Sequence, residues 1–266
     1  MKYRKLFLIY FFTLSIALLS SCASVPDSEL SSVDADKTAR SLYAEAKSAL
    51  EAGDYETAIQ RLESLEARFP FGRYAQQAQL DIAYAYYKYD EPDSAVSAAN
   101  RFIKLYPRHP KVDYAFYLKG VIKFNQGRSV FDSLDAQSAA KRDSGAARKA
   151  FQYFSDLIER FPESKYSEDA IERMVYLRNS LASNEIFAAK FNMKRGAYIA
   201  AVNRAKYVIQ YFQRSPSVPD ALEIMVLGYH KLRLHDLAHD ALRILEFNFP
   251  AHKSLAKLKD LDSPTG

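Results

Sequence analysis

The feature that most constrains this chain is a spacing. In Gly53-Asp54-Tyr55-Glu56-Thr57-Ala58 a glycine and an aspartate lead to an alanine, and twelve residues after Ala58 stands Pro70, preceded by Phe69. The same alanine-to-proline interval, with an aromatic residue before the proline, returns at Ala95 and Pro107, Ala150 and Pro162, and Ala238 and Pro250. Gly196-Ala197-Tyr198-Ile199-Ala200-Ala201 repeats the opening again, with its proline displaced to Pro216. Five units in succession point to a repeat array, in which each unit buries its apolar face against its neighbours rather than around one central core.

Each unit reads as a helical hairpin. A residue such as Gly53 or Gly196 can end the first helix in a left-handed conformation, and Asp54 is placed to cap the second. Pro92 suits a first helical turn, where its missing donor costs little. The recurrent alanine belongs where two helices cross closely. The closing proline ends the second helix by removing a donor and biasing the residue before it away from helix. The expected class is all-α, an α-solenoid of five hairpins at about 39–70, 73–107, 111–162, 165–216 and 217–250, followed by a tail at 251–266. Eight glycines and ten prolines are few for a chain of this length, and a single cysteine permits no intrachain disulfide, so packing must supply the stability.

That cysteine, Cys22, ends an apolar N-terminal run. Lys2, Arg4 and Lys5 open the segment, and Leu6 to Leu19 is broken only by Thr13 and Ser15. Two small residues then precede the cysteine in Leu19-Ser20-Ser21-Cys22. These are the regions of a secretory signal peptide at 1–21 with a lipobox, and the run is short of the ~20 residues of a spanning helix. The expectation is cleavage before Cys22 and lipid, including palmitate, on Cys22 itself; one saturated chain holds a protein only marginally, and two or three hold it firmly. By resemblance to bacterial lipoproteins, in which an Asp at this place typically retains the protein at the inner membrane, Ala23 implies sorting to an outer membrane. Residues 22–38, rich in Ser, Asp and Ala with no apolar period, read as a flexible tether with a reach of roughly 20 Å. Three of the 37 Lys and Arg would leave with the leader, so 34 face 32 Asp and Glu. Nucleic acid is therefore not an expected partner.

No catalytic constellation emerges, and the chain reads as a non-enzyme with no cofactor beyond covalent lipid. There is no glycine-rich phosphate loop, and lipidation of Cys22 would leave no thiol nucleophile. His235 and His239 lie four apart with His230 a little before, but no carboxylate or further ligand falls at a metal-site spacing, so no metal is expected. The tyrosines of Ala83-Tyr84-Ala85-Tyr86-Tyr87-Lys88-Tyr89 carry more information. Tyr84 and Tyr87 share one helix face, and Tyr86 and Tyr89 another, so the four cannot all enter one core. Tyr84 and Tyr87 either line a groove that takes an extended peptide or pack on the next repeat.

The alanine and proline twelve residues apart, in hairpins of roughly 34 residues, resemble the tetratricopeptide repeat. Its consensus tryptophan is missing, with apolar residues such as Leu42 and Leu222 in the matching places. The third unit carries an extension at about Gly127 to Ser144, and the fourth a long first helix at about Tyr166 to Met193. Insertions of this kind map to one face of a solenoid. Chaperone-tail clamps of this superfamily hold a terminal carboxylate with Lys and Asn; two of those places carry Tyr43 and Asp81 here, which argues against that mode.

More specific stretches are Arg68-Phe69-Pro70-Phe71-Gly72-Arg73-Tyr74-Ala75-Gln76-Gln77, Arg101-Phe102-Ile103-Lys104-Leu105, and Arg195-Gly196-Ala197 with Val202-Asn203-Arg204. With lipobox and repeats, they are similar to the BamD family of outer-membrane assembly lipoproteins. That resemblance implies a lipid-anchored scaffold on the periplasmic face of the outer membrane, binding unfolded β-barrel substrates through N-terminal repeats, with Arg73, Tyr84 and Tyr87 as groove residues. It further implies docking of the barrel insertase through its POTRA domain, with Asn203 and Arg204 at the contact, beside other Bam lipoproteins. The alternative on the same residues is a repeat lipoprotein that organises peptidoglycan-associated proteins.

Overall fold

The structure, a computed structural model, describes residues 32–131 and 144–262. It is all-α, with eleven helices and no strand among the described residues. The helices are α1 (Ser32–Ala52), α2 (Tyr55–Arg68), α3 (Arg73–Lys88), α4 (Pro92–Leu105), α5 (Val112–Phe131) and α6 (Ser144–Arg160). They continue with α7 (Ser167–Lys194), α8 (Tyr198–Tyr211), α9 (Val218–Lys231), α10 (His235–Asn248) and α11 (Leu255–Asp262). The repeats lie in a compact unit of residues 42–266; a separate unit, 1–41, contains the start of α1. From α2 onward each helix packs on its neighbours in sequence, and from α3 onward each odd-numbered helix also touches the next odd-numbered one. This is solenoid connectivity, in which burial depends on adjacent units.

The same local chemistry closes four of the five hairpins. Gly53 and Gly196 take positive φ of 77° and 75°, and Asp90 and Arg233 occupy the matching turns at 63° and 60°. The residue after each donates its N–H five residues back, Asp54 to Ala49, Glu91 to Tyr86, Ala197 to Asn192 and Leu234 to Tyr229, all at 2.9 Å. These are Schellman caps, and the left-handed residue is what lets the chain reverse into the next helix. Asp54 then accepts the N–H of Thr57 at 3.1 Å, capping α2. Ala58, Ala95, Ala150, Ala201 and Ala238 are all fully buried at the helix crossings.

Five second helices end alike. Phe69, Tyr106, Phe161, Phe212 and Phe249 each donate an N–H four residues back at 2.8 Å. Phe212 closes the fourth unit without a proline at the next position, where Gln213 stands; the aromatic cap, not the proline, is common to all five. After the cap, the side chains of His109, Ser164 and Ser215 accept the N–H two residues on, at 3.1, 3.3 and 3.2 Å, and turn the chain into the next helix.

Three sequence boundaries are corrected. The tether, read as far as residue 38, is already helical from Ser32, because a helix held at one end extends at the low cost of one residue per added hydrogen bond. The tail after 250 contains α11, whose Leu255 and Leu258 pack with Val218, Leu222, Leu242 and Leu245 and cover the apolar end of the last hairpin. The extension is narrower than 127–144, since α5 runs on to Phe131 and α6 starts at Ser144; residues 132–143 lie outside the described residues. So do Cys22 and the predicted signal peptide at 1–21.

Candidate functional site

Three odd-numbered helices carry a stripe with the same 3, 4, 3 spacing, which keeps side chains on one helix face. On α3 it is Tyr74, Gln77, Asp81 and Tyr84; on α5, Tyr114, Tyr117, Val121 and Phe124; at α7, Tyr166, Asp169, Arg173 and Tyr176. Rungs join the stripes. From α1 the Tyr43 hydroxyl donates to Asp81 Oδ2 at 2.7 Å, while Gln77 Nε2 donates to Asp81 Oδ1 at 2.9 Å and Lys111 Nζ to Gln77 Oε1 at 2.7 Å. Between α5 and α7 the Tyr117 hydroxyl donates to Asp169 Oδ2 at 2.7 Å, and Arg173 grips the same carboxylate at 2.6 and 3.1 Å. Tyr117 stacks on Tyr166 with centroids 4.7 Å apart, and Tyr114 tilts against Tyr166 at 5.5 Å.

The electrostatics follow from this geometry. Burial, with donation to Asp169, pushes the Tyr117 hydroxyl up to about 12. Burial also raises Tyr43, helped by its bond to Asp81, and raises Tyr114, which lies among Tyr166, Tyr84 and Asp81. These hydroxyls therefore stay protonated at neutral pH. Asp169 is held below the ordinary carboxylate range, first by the Arg173 hydrogen bonds, against burial that raises it, and then by Tyr117. The face combines apolar rings with fixed donors and acceptors, the surface chemistry that suits an extended polypeptide.

The residues singled out from sequence divide around this face. Arg73 opens α3, exposed, with its guanidinium 4.7 Å from the centre of the Tyr74 ring. Tyr84 ends the α3 stripe, half-buried, and meets Tyr87 edge-on at 6.5 Å. Tyr87 accepts a hydrogen bond from Asn125 on α5, so its hydroxyl faces the next repeat. Tyr43 and Asp81, at the clamp positions, satisfy each other. The sequence missed the partners Tyr117, Tyr166, Asp169 and Arg173; the 3, 4, 3 spacing shared by α3, α5 and α7 was the available signal.

Asn203 and Arg204 stand apart, on α8. Arg204 Nη1 lies 2.7 Å from Glu185 Oε2, and Arg148 approaches the other oxygen at 3.8 Å. Arg204 remains half exposed, and Asn203 borders a cleft lined by Tyr198, Ile199 and Leu232. Large apolar side chains are uncovered in the C-terminal units, with Phe247 85% and Ile199 65% exposed. Of the histidines weighed as ligands, His230 and His235 meet ring to ring at 5.5 Å. Among the described residues, the donors close enough for a metal are Asp220, Glu223 and His252, within 4.8 Å of one another. The Lys190 ammonium already lies 2.6 Å from Asp220, so this cluster contains its own cation.

Residues 35–244 match the family model described as "YfiO: Outer membrane lipoprotein". A Neisseria gonorrhoeae protein named outer membrane protein assembly factor BamD is 46% identical over 240 residues, covering 90% of each chain. The Vibrio cholerae protein of the same name is 36% identical over 235 residues, 88% of this chain and 95% of that one. The chain belongs to the BamD family. Among solved structures, Pseudomonas aeruginosa pilF covers 85% of this chain and 98% of its own, at 14% identity and a TM-score of 0.31. Within the family frame, the rung-bearing face and the apolar C-terminal units lie on one repeat array, and no helix among the described residues is long and apolar enough to cross a membrane.

Proposed function

We propose that this protein is a lipid-anchored scaffold for assembly of outer-membrane β-barrel proteins, working by binding and not by catalysis. The observation that carries the reading is the family match across the repeats, residues 35–244, with relatives named as outer-membrane assembly factors. The odd-numbered face, from Arg73 and Tyr84 to Arg173, holds an extended segment of an unfolded barrel; its tyrosines give apolar contact without removing hydrogen-bond donors. Tyr87, on the same helix face as Tyr84, is held toward the next repeat by Asn125. The C-terminal units dock the barrel insertase through its POTRA domain, with Asn203 and Arg204 in the contact and exposed Ile199 and Phe247 supplying apolar area. Lipid on Cys22 keeps the array on the periplasmic face of the outer membrane, beside other lipoproteins of the complex.

Depletion tests the reading. Porin levels in the outer membrane fall, and a POTRA-containing barrel copurifies with the tagged protein from detergent extract. Unchanged porins and no such barrel would sink it, and stable copurification with murein would favour a peptidoglycan-organising role. Cys22→Ala folds normally and loses its membrane localisation; full barrel assembly from a soluble pool would remove the anchor from the mechanism.

A further inference from the structure

The two edges of the N-terminal units differ in charge, and no part of the proposed function uses the difference. At the turns within hairpins, 53–54 and 89–91, counted with the helix residue on either side, three carboxylates (Asp54, Asp90 and Glu91) stand with one cation, Lys88. At the connections between hairpins, 69–72, 106–111 and 161–166, counted the same way, the balance reverses. Six Lys and Arg side chains stand there with one carboxylate, Glu163. Asp113, just inside α5, accepts the Ser164 hydroxyl at 2.7 Å.

These three connections are neighbours, since antiparallel helices return every second connection to one end of an array. Lys111 Nζ reaches Gln77, near the start of α3, at 2.7 Å. Arg108 and Pro110 line one cleft with Arg160 and Pro162. The chain also enters the repeats at this edge, where Tyr43 packs on Tyr74 with centroids 5.6 Å apart.

The cations here are uncommitted. Arg68, Arg108, Arg160 and Lys165 are exposed, and none has a carboxylate partner among the described residues. Three of them lie over rings instead, Arg68 5.6 Å from the centre of Phe69, Arg160 5.3 Å from Phe116 and Lys165 5.0 Å from Tyr166. Ring contact holds the stem and leaves donors of the charged head to meet water or a ligand. Phe71, in Pro70-Phe71-Gly72, is 89% exposed, and Leu105 at the end of α4 is 50% exposed. One uncovered ring is ordinary on a protein surface. Here it stands in sequence between Arg68 and Arg73, in a turn that Gly72 makes at a positive φ of 96°.

We propose that this edge rests on a bilayer surface bearing anionic phospholipid headgroups, with the Phe71 ring in the interface and Arg68, Arg108, Arg160 and Lys165 on phosphates. Cations spread along a row of turns, with apolar side chains among them, match a plane of headgroups better than a single acidic peptide, which would need a continuous groove. The contact rests on the proposed lipid at Cys22 to bring the edge to the membrane. It adds an orientation that a lipid anchor alone leaves open, with the basic connections toward the bilayer and the acidic turns away from it.

The chain has no tryptophan, so Phe71→Trp supplies a single reporter. Full-length lipidated protein carrying this change is incorporated from detergent into vesicles of phosphatidylcholine, alone or mixed with phosphatidylglycerol. In the mixed vesicles its emission shifts to the blue and brominated acyl chains quench it, and in phosphatidylcholine alone neither occurs. Salt at about 1 M, where the Debye length is ~3 Å, abolishes both effects. Arg68→Gln and Arg108→Gln, added singly, each lower the ratio of docked to undocked protein about fivefold, the effect of one cation at an anionic surface. Tyr89→Trp, at an acidic turn, responds in neither vesicle. Emission that ignores phosphatidylglycerol, quenching insensitive to salt and to both arginine changes, or equal quenching of Phe71→Trp and Tyr89→Trp overturns the proposal. So does a blue shift of equal size with soluble polyglutamate, which would assign the edge to acidic polypeptide. Flotation separates this contact from the anchor. Protein that floats with both vesicles while Phe71→Trp ignores them keeps the anchor and loses the edge. Protein that floats only with the anionic vesicles, with the blue shift, keeps the edge and loses the anchor.

Discussion

The N-terminal and C-terminal parts of the array use one repeat in different ways. From α1 to the start of α7, neighbouring first helices are joined by half-buried tyrosine hydroxyls on carboxylates, Tyr43 to Asp81 and Tyr117 to Asp169. From the end of α7 to α11 the comparable rung is ionic, Lys190 to Asp220 at 2.6 Å, while the second helices leave Ile199, Leu237, Ile244 and Phe247 uncovered. A tyrosine rung fixes a rigid ring with few rotatable bonds and leaves apolar area next to it. A lysine rung fixes little, because the long side chain gives up more conformational entropy than the screened pair returns. The difference fits the proposed polypeptide face at one end and the proposed docking surface at the other.

The largest expected effect comes from the two close helix crossings, one in each part. A methyl group at Gly120 on α5 would collide with three ring atoms of Phe154, a fully buried side chain on α6. At Gly228 on α9 the one close atom is Val202 Cγ2, at 2.5 Å. Overpacking of this kind costs about 1–3 kcal/mol. Gly120→Ala falls at the upper end, since a caged ring cannot step aside, and Gly228→Ala at the lower end, where one methyl has to give. Urea denaturation measures both. Equal losses would mean that the N-terminal crossing is no more rigid than the C-terminal one.

Acid provides a second, smaller contrast within the rungs. Asp169 is held below its ordinary value of 3.8, first by Arg173, so the contribution of the rung is fully present above that value. It is lost as pH falls through the lower folded value. The Asp169 side chain is 42% exposed, so the contribution is about 1 kcal/mol or less after screening. Asp220 is also lowered, although burial there pushes it up and the Lys190 hydrogen bond and charge have to outweigh it. Asp169→Asn therefore flattens the decline of stability below pH 4 more than Asp220→Asn does, read from thermal melts at pH 3 and pH 7. The reverse order would give the ionic rung the greater weight.

The hairpin count, the left-handed glycines and the buried alanines were legible because each rests on local chemistry that recurs at a fixed interval. Asp90 and Arg233 were not, since they take a left-handed turn that favours glycine and that neighbouring helices impose on them. Helix α11 was hidden because its eight residues bury only Leu255 and Leu258, too few to show a period. For the candidate site, Tyr84 and Tyr87 were visible as part of an aromatic cluster, and Arg73 only through the family resemblance. Their partners on α5 and α7 lie tens of residues away, and only packing brings Tyr117 to Asp169.

The smallest expected effect on stability is also the sharpest test of the C-terminal part. Arg204 is paired with Glu185, but Glu185 keeps Arg148 at 3.8 Å when Arg204 is removed, so no carboxylate is left wholly uncompensated. The Arg204 side chain is 48% exposed, and such pairs contribute within about 1 kcal/mol. Arg204→Ala should therefore leave the melting curve almost where it was. In the docking reading the same change removes a planar, multi-donor head from the interface, and recovery of the POTRA-containing barrel with the tagged protein falls several-fold. Glu185→Gln separates the two roles, because it frees Arg204 without removing it and should preserve that recovery. If Arg204→Ala instead lowers stability markedly while copurification follows stability in both variants, the pair is structural. The C-terminal units would then depend on their ion pairs much as the N-terminal units depend on their tyrosines.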